Sequence, residues 1–132
     1  MLDTSVQIAF AALCYWREGR GSVQMMTAIG AVNANRMKRH KISQYADVVT
    51  KFAYSSMTDH GDPQLILFPL DTDTFYAAAL IIAASVSRGT LDDPTQGATL
   101  YYDDSIPFPE HWNKSKVQAT VKIGRLNFYR EL

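Results

Sequence analysis

A single cysteine, Cys14, stands among the 132 residues. The chain therefore has no internal disulfide to staple it, and the thiol's place in an apolar helical run marks it as a packed residue rather than a nucleophile. Neither sign of charge is in excess: thirteen Lys and Arg balance thirteen Asp and Glu. That balance removes the bulk field that draws a protein to nucleic acid or to an anionic membrane. Long apolar runs are also missing. The best candidate, Tyr76 to Val86, is rich in Ala and falls short of the roughly 20 residues a membrane helix needs, so it reads as a core helix and no membrane insertion is expected. The first residues include Asp3 rather than the lysines and arginines that open a secretion signal. Histidines are few, and neither His60 nor His111 has a second His or Cys at ligand spacing. Asp59-His60-Gly61-Asp62 lacks the spaced acids of a calcium loop and reads as a turn. No metal or cofactor is expected, and no repeat, low-complexity tract or linker divides the chain.

What is present is an ordinary globular composition, 47% apolar and 20% charged, enough for one real core and one domain spanning residues 1–132. Thr4-Ser5-Val6-Gln7 reads as a capping box opening a first helix. Val6, Ala9, Phe10, Leu13 and Trp16 recur at three- and four-residue intervals as its expected core stripe, which ends before Gly19 and Gly21. Ser22 suits the cap of a second helix containing Met26, Ile29, Gly30 and Met37, closed by the basic cluster Lys38 to Lys41. A short helix is expected around Tyr45 to Phe52, then a long structured loop from Ala53 to Asp73. Another helix should run from about Thr72 to Arg88, with Asp71 or Asp73 at its start and Gly89 as its left-handed cap. Beyond Asp93-Pro94 the period changes. Ala98 to Tyr102 suits a short strand, and Val117, Ala119, Val121 and Ile123 alternate with polar residues. Gly124-Arg125 then turns into Leu126 to Arg130. The expected fold is α+β, mainly helical, with a small antiparallel hairpin near the C-terminus.

Glu18 is the residue with the most interesting address. At the C-terminal end of the first helix, the partial negative charge of the helix end disfavours a carboxylate. Glycosidases use an acid kept protonated near neutral pH by burial against aromatic side chains, surroundings that the adjacent Tyr15 and Trp16 make possible without requiring them. The bland alternative is a solvated acid between Arg17 and Arg20.

The run Glu18-Gly19-Arg20-Gly21, followed by Ala28 to Arg36 with its Asn35-Arg36 pair, resembles the start of the SleB/CwlJ-type cell wall hydrolase family. Tyr54-Ser55 stands where that family has Phe-Ser. Asp93-Pro94-Thr95-Gln96-Gly97-Ala98-Thr99-Leu100-Tyr101-Tyr102 resembles its Asp-Pro-Thr-x-Gly-Ala-Thr-x-Tyr-Tyr stretch, and Trp112 and the segment from Ile123 to Tyr129 are similar to its end. Gly19 replaces the commoner Ala, a change expected to be tolerated, and Ser22 replaces a second Glu.

The resemblance implies a lysozyme-like catalytic domain that cleaves peptidoglycan between N-acetylmuramic acid and N-acetylglucosamine, as a lytic transglycosylase, with Glu18 in the catalytic position. A hydrolytic muramidase with a second acid (Asp103, Asp104 or Asp59) and a non-catalytic wall-binding module are the alternatives. Tyr54, Ser55, Thr99, Tyr101, Tyr102 and Trp112 are the expected substrate contacts. Because side chains alternate across a strand, only one of Tyr101 and Tyr102 should face a groove, and Trp112 could line the groove or close the core. The expected partner is the glycan strand, met by a monomer. With no secretion signal visible, the expected setting is cytoplasmic accumulation with later release to the wall, as for a phage endolysin, or carriage on a virion.

Overall fold

The computed structural model describes residues 4–41, 57 and 62–132. The segment expected to form a helix near Tyr45, together with Tyr54, Ser55, Asp59 and His60, lies outside the described residues. Three helices, α1 (Thr4–Gly19), α2 (Val23–His40) and α3 (Thr74–Arg88), pack against one another beside a three-stranded sheet of β1 (Leu100–Asp103), β2 (Val117–Ile123) and β3 (Leu126–Glu131). The sheet is antiparallel throughout, in the order β1-β3-β2. The α+β class read from the sequence is the one observed.

The helix boundaries follow local chemistry. Ser22 caps α2 by accepting from the Met25 N–H at 3.1 Å. Asp73 caps α3 through the N–H groups of Phe75 and Tyr76, and its second oxygen accepts from the Trp16 indole at 3.2 Å, fastening α3 to α1. Gly89 ends α3 at φ 70°. Thr4 lies within α1 as its first residue rather than outside it as the cap.

The core face of α1 is not the one the large residues suggest. Val6 and Phe10 are 40% and 41% exposed, while Ala11, Ala12, Cys14 and Tyr15 are fully buried. The helix is apolar nearly all round, so two stripes satisfy the same period. The small residues win because α1, α2 and α3 approach closely, with Ala28 of α2 and Ala79 and Ala83 of α3 in the same core. The large residues instead line a shallow groove with Phe68, Pro69 and Tyr76. Gly30 serves the same close approach: a Cβ there would meet Ile82 Cγ2 at 2.9 Å.

Two further ties set the sheet against the helices. Asn35 donates to Asp93 and to the Ala98 carbonyl, and Arg36 donates to the Thr99 carbonyl at 2.6 Å, so the Asn-Arg pair stitches α2 to the chain entering β1. Burial opposes ionisation of Asp93, but hydrogen bonds from the Thr95 hydroxyl, the Asn35 amide and the N–H groups of Thr95 and Gly97 outweigh it and hold its carboxyl below the ordinary value. In β2 the expected alternation fails at Ala119, which is exposed, because the pairing with β3 slips between Ala119 and Lys122.

Candidate active site

The end of α1 is built to present Glu18. After Gly19 the chain turns through Arg20 at φ 46° and Gly21 at φ 78°, closed by a bond from the Ser22 N–H to the Gly19 carbonyl. Gly19 is a steric requirement: a Cβ on it would lie 2.3 Å from Met26 Cγ and 3.2 Å from the Met26 backbone nitrogen. Arg17, expected to flank the acid, is buried and engaged elsewhere, donating to the Leu67 carbonyl with its guanidinium over the Phe68 ring.

Glu18 is half-buried and lines a cleft of about 500 Å³ between the helical body and the edge of the sheet. The Tyr101 hydroxyl donates to its Oε1 at 2.5 Å. Tyr101 is itself placed by β1, opposite Phe128 of β3, whose ring it packs against.

Farther along, Tyr102, Phe108, Trp112 and Tyr129 form a cluster of mutually packed rings, of which Tyr102 and Trp112 reach the cleft. Both tyrosines therefore line it, contrary to the strand-alternation argument. β1 is an edge strand, and a groove that runs along an edge takes side chains from both of its faces. Thr99 is different. It stands just before β1 and is 4% exposed, its hydroxyl accepts from the Glu131 N–H and its carbonyl from Arg36, and it does not line the cleft.

Of the other acids considered, Asp103 lines the same cleft, while Asp104 is tied at the surface to Lys122 and Asn127. Asp103 receives Arg125 Nε on Oδ2 at 2.7 Å, Arg20 at 3.7 Å and the Ser105 N–H on Oδ1 at 2.9 Å. Burial works against its charge, yet the bonds from Ser105 and Arg125 and the Arg125 charge outweigh it and carry the carboxyl below the ordinary range. Among the described residues no three His, Cys, Asp or Glu groups converge on a possible metal position. None of their helices is long and apolar enough to cross a membrane.

Sequence reasoning missed Asp62 and Arg36 in the cleft wall, and Arg125, which does not line the cleft but bonds Asp103 and the Glu18 carbonyl. Arg125 looked like a turn residue only, and nothing in its neighbours along the chain signals that the turn folds back onto the end of α1.

The fold and cleft together define a small α+β domain with a carboxyl group in an open, aromatic-walled groove. Within that class the chain belongs to the cell wall hydrolase family, whose model matches residues 21–129, and is a peptidoglycan-cleaving enzyme. The match begins just beyond the helix end that carries Glu18. Searches among curated proteins and among solved structures give no match.

Proposed function

We propose that the protein cleaves glycan strands between N-acetylmuramic acid and N-acetylglucosamine as a lytic transglycosylase, with Glu18 as acid and then base. The observation that carries this reading is the pairing in the cleft of one hydrogen-bonded carboxyl, Glu18 with Tyr101, and one carboxylate already committed to cations, Asp103. Two-carboxylate glycosidases need the second acid as base or nucleophile. Both oxygens of Asp103 are engaged, Oδ1 by the Ser105 N–H and Oδ2 by Arg125, which leaves it poorly placed for either task. A transglycosylase needs no second acid, because the muramic C6 hydroxyl attacks its own anomeric carbon.

In this scheme Glu18 gives its proton to the leaving glycosidic oxygen as the bond to the anomeric carbon breaks. The substrate's N-acetyl group stabilises the cationic centre. The resulting carboxylate then takes the C6 hydroxyl proton as the new C–O bond closes, leaving an anhydromuramic end and a regenerated acid. Tyr101 holds Oε1 throughout and fixes the plane of the carboxyl. Tyr102 and Trp112 offer flat apolar faces to the sugar C–H surfaces along the groove. Tyr54 and Ser55 belong to this proposal as further substrate contacts, on the resemblance alone. As a phage lysin, the protein would meet this substrate after release from the host cytoplasm or on a virion.

Glu18→Gln keeps the size and hydrogen-bonding capacity of the side chain and removes the proton. Turbidity loss of purified cell walls should vanish while co-sedimentation with those walls persists. Undiminished lysis would defeat the assignment, and wall binding without lysis by the native protein would favour a non-catalytic binding module.

A further inference from the structure

The two-residue turn between β2 and β3 is packed where a turn need not be. Gly124 sits at φ 58°, and a Cβ on it would lie 2.6 Å from Met25 Sδ, so the turn rests directly on the first turn of α2. The Asp104 N–H bonds the Arg125 carbonyl at 2.8 Å, fastening the same turn to the end of β1. From this seat the Arg125 guanidinium reaches three groups on three elements. Its Nε donates to Asp103 Oδ2 of β1 at 2.7 Å, one terminal nitrogen contacts Met25 Sδ at 3.5 Å, and the other donates to the backbone carbonyl of Glu18 at 3.4 Å. Asp103 Oδ2 also faces Arg20 at 3.7 Å, on the far side of the α1 corner.

We propose that Arg125 is a positioning residue for the acid: with Asp103 it clamps the carbonyl end of α1 to β1, the strand that carries Tyr101. The inference rests on the reading of Glu18 as the acid. The last carbonyls of a helix lack intrahelical partners, and a cation at that end is favourable. Glu18 lies in this last turn, and its Oε1 must meet a hydroxyl projecting from a different element, so any relative slip of α1 and β1 separates the two. A guanidinium suits the task because its planar fork bonds several acceptors at fixed angles, which a single ammonium cannot do.

The test compares Arg125→Met, Arg125→Lys, Asp103→Asn and Glu18→Gln on soluble, uncross-linked glycan strands, with kcat and KM separated and folding checked by circular dichroism melts. Arg125→Met should lower kcat about 10- to 100-fold, the scale of a small misplacement of a reacting group, with KM little changed. Arg125→Lys should recover part of that loss. Asp103→Asn cuts the same clamp from its other end while keeping the guanidinium, so it should also lower kcat, and the double variant should be no worse than Arg125→Met alone. If Arg125→Met does not fold, the Lys and Asn variants carry the test. Unchanged kcat in these variants, or a loss entirely in KM, overturns the positioning role when Glu18→Gln is inactive. An active Glu18→Gln overturns the acid itself.

Discussion

Glu18 is held in the cleft by a residue 83 positions away in the chain. The Tyr101 hydroxyl fixes one carboxyl oxygen, and the aromatic packing against Phe128 fixes the tyrosine. Tyr101→Phe keeps the ring and the packing and deletes only the hydroxyl. It should lower kcat for strand cleavage by roughly tenfold, about 1.4 kcal/mol, with the melting temperature nearly unchanged. Steady-state rates on soluble strands check this, and a wild-type kcat would remove Tyr101 from the site. Both partners were named from the sequence by the family resemblance, to which the helix-end address of Glu18 added a physical reason. Their contact was not legible, because no local pattern encodes which strand side chain meets which helix end. Thr99 shows the converse: the same stretch that names Tyr101 also names Thr99, two residues earlier and of the same strand parity, and only its tertiary partners, Arg36 of α2 and Glu131 of β3, mark it as a buried residue instead of a cleft one.

At the scale of elements, caps and turns were readable because their signals are local: Ser22, Asp73, Gly89 and the Gly124-Arg125 turn all act where the sequence places them. The inward face of α1 was not, since an all-round apolar helix leaves the choice to its neighbours, and closely packed neighbours select alanine over phenylalanine. The corner from α1 to α2 gives the sharpest test of that packing. Gly19→Ala introduces a methyl against fully buried Met26, side chain and backbone alike. Alanine is the better helix former by about 1 kcal/mol, so propensity alone predicts a gain. Overpacking typically costs about 1–3 kcal/mol, and the account predicts a net loss of stability in urea titration together with a lower kcat. A stabilised, fully active Gly19→Ala would show that the corner has slack and that Glu18 is not held by it.

At the scale of the molecule, three helices and a small sheet among the described residues meet so that a helix end and an edge strand line one cleft, with a hairpin turn bonded to both. Membership of the cell wall hydrolase family gives peptidoglycan as the substrate, and the proposed mechanism asks for one working acid instead of two. The most direct measurement is mass spectrometry of the sugar ends released from purified peptidoglycan by the native protein and by Glu18→Gln. The account predicts anhydromuramic ends, lighter than reducing ends by one water, from the native protein and no new ends from the variant. Reducing muramic ends, or equal release by both proteins, would contradict it.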